Sequence, residues 1–330
     1  MTSKTILLII IHLLLLFSTL ALDHHATSQV CTMKSIAQVL PKTSRHWVGD
    51  GFHVRPVFGT LAFSKIMSPF LMLDYANEQF EPNNNPHQRK GVGKHPHRGF
   101  ETVTVAFQGE IEHKDSVGNS DVIKSGDVQW MTAGRGIIHE EFHGINWAKT
   151  GGTVEMVQLW VNLQSKDKMV APRYQPLSNT SIPKVELDEN GNSVRIIAGK
   201  YGDIEGPAVT YSEMNVWDIA LNGSTSEEEN IIELNVPENH NTMLLVRSGS
   251  IRLLDDKGTT SKVGNQQVCL FEMDGGNAIR IQAMQKSQVL LLSGVPFFDE
   301  PIANMGPFVM NTREELREAQ RDYQNGNFGT

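Results

Sequence analysis

The chain has 330 residues, 39% of them hydrophobic and 20% charged, which supports a sizeable core and excludes wholesale disorder. Its formal net charge is −8, and without a dense Lys/Arg run it cannot neutralise many phosphates, so no direct nucleic-acid partner is expected. Two cysteines, Cys31 and Cys269, exclude a disulfide scaffold and any thiolate metal cluster.

Residues 1–22 carry Lys4, then an apolar run, then small residues at Thr19 and Ala21. This is the pattern of a secretory signal peptide, or of an uncleaved N-terminal anchor. A start at Met33 would give a chain without it. Sequons at Asn179 and Asn222 become glycosylation candidates only on the secretory route. Residues 23–45 are polar and unperiodic and read as a linker.

From about residue 46 the chain alternates short apolar or period-2 runs with Gly, Asn and Asp. ETVTVAF (101–107), EMVQLWVNL (155–163), TMLLV (242–246) and QVLLLSG (288–294) are examples. Strands of this length and spacing predict an all-β sandwich or barrel. Helical periodicity appears only in TREELREAQRDYQ (312–324), capped by Asn311 or Thr312 with Glu315 in the first turn.

A weak internal repeat is present. FQGEIEHKDS (107–116) matches VRSGSIRLLDD (246–256), and KSGDVQWM (124–131) matches KVGNQQVCLF (262–271). The copies lie about 140 residues apart, as expected of a duplicated unit. The boundary is expected in the Pro-containing stretch 169–184. This predicts domains over 46–170 and 171–310, with a helix over 311–330.

Chemistry concentrates in two segments. In HPHRGFETVT (95–104), His95 and His97 share one face of an extended strand. In GRGIIHEEFHG (134–144), His139, Glu141 and His143 share a face. If the two strands are neighbours, three imidazoles and one carboxylate converge. Such a set suits iron, copper, nickel, cobalt, manganese or zinc rather than magnesium or calcium. Glu101 stands four residues after His97 and competes with Glu141 for the acidic position. His113, in EIEHKD, has no paired ligand and reads as surface. His24, His25, His87 and His240 read as residents of linkers or turns. Met156, Gln158 and Trp160 share one parity of their strand with Asn162, and can line a pocket for a flat ligand. Val157, Leu159, Val161 and Leu163 take the packing face. Arg98 is read as neutralising a carboxylate.

HPHRGFETVT, GDVQWMTAGRGIIHEEF (126–142), VQLWVNL (157–163) and GPFVMNTREEL (306–316) together resemble the pirin family over about residues 34–328. The resemblance implies two tandem cupin (jelly-roll) β-barrels packed face to face, with metal in the first alone. It implies a non-haem iron, Fe2+, on His95, His97, His139 and Glu141, with Glu101 orienting a ring from outside the ligand set. Some members of the family open flavonols with O2, in which case Glu141 is also the proton acceptor. Others act through protein partners, a transcription factor or a G-protein subunit, in the nucleus or cytoplasm. The second unit lacks His and carboxylates where the repeat offset places the ligands, near Asn235, Pro237, Asn277 and Ile279.

Overall fold

The computed structural model describes residues 31–85, 88–223, 231–257 and 259–328. The segment read as a signal peptide, and His24, His25 and His87, lie outside the described residues. Among those described, no helix is long and apolar enough to cross a membrane.

The first half contains β1 (Ile36–Leu40), β2 (His46–Val48), β3 (Phe52–Phe58), α1 (Leu61–Ile66), β4 (Phe70–Phe80), β5 (Gly91–His97), β6 (Phe100–Gln108), β7 (Ile111–Asp115), β8 (Ser120–Ile123), β9 (Val128–Thr132), β10 (Ile137–His143), α2 (Ile145–Ala148), β11 (Gly152–Asn162) and β12 (Arg173–Leu177). The second contains β13 (Lys184–Glu186), β14 (Ser193–Ala198), β15 (Lys200–Tyr201), β16 (Ile204–Glu205), β17 (Met214–Leu221), β18 (Ile231–Asn235), β19 (Asn241–Ser248), β20 (Ser250–Leu254), β21 (Thr260–Gly264), β22 (Val268–Phe271), β23 (Ala278–Ala283) and β24 (Ser287–Gly294). A hairpin of β25 (Ala303–Met305) and β26 (Phe308–Met310) and the helix α3 (Arg313–Gln324) end the described chain.

Each half is a two-sheet jelly roll, and the two are built alike. The seven-stranded sheet β12-β9-β6-β11-β4-β3-β2 faces the four-stranded sheet β5-β10-β7-β8. In the second half, β1-β22-β19-β24-β17-β14-β13 faces β18-β23-β20-β21. The duplicated all-β fold is therefore as expected, two tandem cupin barrels with a terminal helix.

Alternation explains the packing. On β11, Val157, Leu159 and Val161 point away from their own barrel. They join Val103, Val105, Val216, Leu245 and Leu290 in one buried cluster drawn from both halves. The two large sheets thus pack face to face on aliphatic rows. A buried ion network crosses the same face, where Arg247 bonds Glu155 Oε1 at 2.6 Å and Asp218 Oδ1 at 2.9 Å.

Two boundaries need correction. Residues 23–45 are not all linker, because β1 pairs antiparallel with β22 in the second half. Its short run IAQVL gains its ladder from a strand far away in sequence, which no local pattern reveals. Residues 171–310 do not all belong to the second barrel either. β12 lies within the stretch 169–184 and pairs with β9 of the first sheet.

The C-terminal segment returns to the first barrel. Val309 N donates to Arg98 O at 3.1 Å. Lys168 is buried, and its Nζ donates to Asn162 Oδ1 (2.8 Å), Gly99 O (2.9 Å) and Val309 O (3.1 Å). Arg98 Nη1 meets Asp322 Oδ2 of α3 at 2.8 Å, neutralising a carboxylate. α3 begins with a capping box between Thr312 and Glu315.

Candidate metal centre

β5 and β10 are antiparallel neighbours, with His95 opposite His139 and His97 opposite Ile137. This register brings the two His-bearing segments together. One nitrogen each from His95, His97 and His139 lies within 4.8 Å of the others. Ring centroids are 4.2 Å apart for His95 and His139, and 4.9 Å for His97 and His139. Glu141 follows on the same inward face of β10 and falls within 4.8 Å of His139 and His113.

The donor atoms suit a cation. His97 Nδ1 and His139 Nε2 are buried without a hydrogen-bond partner. Such orphans are costly unless something accepts their lone pairs. Burial, with neighbouring rings adding to it, pushes His97 down to about 3 and His139 well below its usual range. Both imidazoles are therefore neutral and available as ligands at neutral pH. His95 Nδ1 lies 2.9 Å from Gly93 O, which as N–H donor leaves its Nε2 free.

A second set of side chains supports the first. His113 reads from sequence as surface, but it is fully buried. β7 pairs with β10 so that His113 stands opposite Glu141. Its Nδ1 is 3.4 Å from His139 Nδ1, and its Nε2 is 3.2 Å from Asp115 Oδ2. Tyr174 stacks on its ring at 4.6 Å. Burial opposes a charge on Asp115, yet hydrogen bonds from His113 and Asn119 hold its carboxyl below the usual range. The signal was present in the alternation: Glu112 and Lys114 point outward, so Ile111 and His113 must point in.

Glu101 does not reach the cluster. Gly99 turns the chain at φ +86°, and a Cβ there would meet Val309 O at 2.0 Å. Counting faces from His97 through this turn therefore fails, and Glu101 points away from its own barrel. Its Oε1 accepts from Thr132 Oγ1 at 2.6 Å. Burial pushes its carboxyl up to about 7 against the pull of Thr132 and Arg173. It neither joins the donor cluster nor orients an imidazole. His143 shares the face of His139 but sits at the strand's far end. Its Nε2 is 2.8 Å from Gly51 O, among Phe52, Phe80 and Trp147. His240, read as a turn residue, is buried with Nδ1 2.9 Å from Ser293 Oγ.

A cavity of about 440 Å³ opens onto the cluster, lined by His95, His97, Glu141, Met72, Met156, Gln158 and Trp160 among others. Asn162, of the same parity, instead holds Lys168. Pro307, in the C-terminal hairpin turn, also lines it, and its carbonyl is hydrogen-bonded to the His97 ring. Asp74 faces the same space. The sequence offered no reason to single it out.

Among the described residues, the second barrel carries no such site. Matching the β20–β21 hairpin to β7–β8 places Leu253 where His113 stands. Strand pairing then puts Leu234, Val236, Ile279 and Ile281 in place of His95, His97, His139 and Glu141. All five are buried in one apolar cluster. These positions differ by one or two residues from those given by a constant repeat offset.

Comparison with known proteins agrees with this architecture. The pirin family model matches residues 51–161, and the model of the pirin C-terminal cupin domain matches residues 221–329. A Pseudomonas aeruginosa protein provisionally named quercetin 2,3-dioxygenase is 46% identical over 297 residues, covering 90% of this chain and 99% of that protein. A pirin-like protein of Solanum lycopersicum is 38% identical over 282 residues, covering 85% of this chain and 88% of the relative. The crystal structure of a quercetin 2,3-dioxygenase from Acinetobacter baumannii superposes with a TM-score of 0.83 at 44% identity, covering 90% of this chain and 99% of that one. With its two barrels, the His/Glu cluster in the first and the apolar fill of the second, this chain belongs to the pirin family.

Proposed function

We propose that the protein is a metal-dependent dioxygenase that opens flavonols with O2. His95, His97, His139 and Glu141 would hold one divalent transition metal, Fe2+ in this reading. The observation that carries this reading is the open cavity beside the donor cluster, of a size and lining suited to a small aromatic ligand. The relatives' names point the same way. When bound, the metal lowers the pKa of a coordinated hydroxyl and provides open positions for both reactants. Glu141 stands at the cavity wall as the proton acceptor. Trp160, whose ring is 5.4 Å from that of His97, offers a face for stacking. Met72 and Met156 supply adaptable apolar walls. Pro307 and the hairpin behind it close one side and limit water.

In the balanced reaction both oxygen atoms of O2 enter the ring-opened ester. The carbon between the cleaved bonds leaves as carbon monoxide. The test is anaerobic loading of the purified protein with Fe, Cu, Ni, Co or Mn, then addition of quercetin and air. Loss of the flavonol absorbance with carbon monoxide release is expected for at least one metal. Intact quercetin and no carbon monoxide with every metal would contradict the reading.

A further inference from the structure

One row of side chains crosses the inner face of the large sheet of the first barrel. Strand register places Asp74 (β4) beside Gln158 (β11), Gln158 beside Thr104 (β6), and Thr104 beside Gln129 (β9). All four are polar in a barrel interior. Three are joined in a chain. Gln129 Nε2 donates to Glu141 Oε1 at 2.6 Å and to Thr104 Oγ1 at 3.2 Å. Thr104 has one proton, and its shorter contact is to Gln158 Oε1 at 2.7 Å, against 3.3 Å to Glu141. With its oxygen so occupied, Gln158 presents its amide N–H groups to the cavity it lines.

Asp74 ends the row. It is 9% exposed and lines the cavity. No hydrogen bond or ion pair reaches its carboxylate among the described residues. A buried acid without a partner is unfavourable. Burial pushes its carboxyl up to about 6, with His46 pulling weakly the other way.

The fold does not require this row. In the second barrel the same pairing gives Trp217, Leu291, Leu244 and Cys269, all buried in the apolar cluster. A cupin barrel of this chain packs well with that row wholly apolar. The polar version stands only beside the donor cluster, and its free acceptor opens onto the cavity.

We infer that Asp74 and Gln158 form a recognition station for a hydroxyl-bearing aromatic ligand, Asp74 accepting from a ligand hydroxyl remote from the metal and Gln158 donating to a neighbouring oxygen. The inference rests on the proposed function. Thr104, which lies against Glu141, is two strands from Asp74, or about 10 Å at the usual strand spacing. A flat ligand of two or three rings spans that distance. Met72 and Trp160 pair on one side of the station, Ala76 and Met156 on the other. On β4 and β11, apolar pairs thus flank the polar one, as a planar molecule with polar edges requires. The station sets which aromatic is held, and the metal ligands set what is done to it.

The test uses the full chain loaded with zinc, which has no redox chemistry and so separates binding from turnover. The dissociation constants of quercetin and of 3-hydroxyflavone, which lacks the remote hydroxyls, are measured by fluorescence quenching. The wild type is expected to favour quercetin by about 10- to 100-fold, the worth of a hydrogen bond to a charged acceptor. Asp74→Leu is expected to remove that preference and to leave 3-hydroxyflavone binding unchanged. Asp74→Asn, which keeps shape and a neutral acceptor, is expected to fall between, and stands in if the leucine variant does not fold. Zinc content checks that the donor cluster is intact. Equal binding of the two ligands by the wild type, or loss of both ligands alike in the variants, overturns the inference. Absence of carbon monoxide in the iron and air assay, with quercetin preference intact, would overturn the dioxygenase reading instead.

Discussion

Gln129 Nε2 lies 2.6 Å from Glu141 Oε1, although the two residues sit on opposite sheets of the first barrel. The amide donates into the carboxylate and fixes which oxygen is left to face the imidazoles. Gln129→Leu removes the donor and keeps the bulk. Partners of this kind typically change metal affinity by about 10- to 100-fold, so that loss is expected. Competition against a chromophoric chelator checks it, and unchanged affinity would show that Glu141 is positioned by its strand alone.

His113 acts on His139 in a comparable way. With Nε2 donating to Asp115, its Nδ1 can accept from His139 Nδ1, which leaves His139 Nε2 as the ligand atom. His113→Phe should lower metal affinity about 10-fold or more without abolishing binding. The two candidate acids are expected to separate cleanly. Glu141→Ala should abolish metal retention, and Glu101→Ala should leave the metal content as in the wild type. The reverse pattern would place the metal on the other face of the sheet.

Two buried carboxyls make a contribution to the pH dependence of the metal-free protein that opposes the usual loss of stability in acid. Asp74 rises from 3.8 to about 6, and Glu101 from 4.5 to about 7, both chiefly through burial. A raised carboxyl binds its proton more tightly in the folded state. The resulting stability is fully present below the unfolded value and is lost as pH rises through the folded one. Their contribution to stability should therefore fall between about pH 4 and 7, against that of the buried His97 and His139, which is lost as pH falls. For Asp74 the shift corresponds to about 3 kcal/mol at most. Asp74→Asn should stabilise the metal-free protein at pH 8 and make little difference at pH 4. Thermal melts across pH check this, and a variant less stable than the wild type at pH 8 would show that Asp74 has a structural partner.

Lys168 ties the C-terminal hairpin to the first barrel through three oxygens. Lys168→Met leaves those acceptors buried and unpaired, at a cost of about 3 kcal/mol. Because Pro307 is in that hairpin and lines the cavity, faster hydrogen exchange over residues 303–310 should accompany weaker ligand binding. Exchange at the wild-type rate would show that Arg98 and Asp322 hold the segment without it.

Much of this architecture is legible in the residues, and the failures have physical causes. HPH and HEE announce ligand pairs because period-2 spacing places alternate residues on one face of any strand. What local pattern cannot supply is which strands become neighbours. His113 reads as solitary until β7 pairs with β10 and puts it opposite Glu141. Asp74 is one of several polar residues in β4, with Asn77, Glu78 and Gln79, and nothing marks its face as the cavity side until β4 pairs with β11. Glu101 misleads because Gly99 breaks the alternation between β5 and β6. The N-terminal strand β1 is hidden because its partner β22 belongs to the other half of the chain.

Anomalous diffraction from crystals of the natively loaded protein tests the central claim most directly. One strong peak is expected in the first barrel and none in the second, with His95, His97, His139 and Glu141 at about 2.0–2.2 Å from it. A peak bound by Glu101, or a metal held elsewhere with those four side chains free, would contradict it.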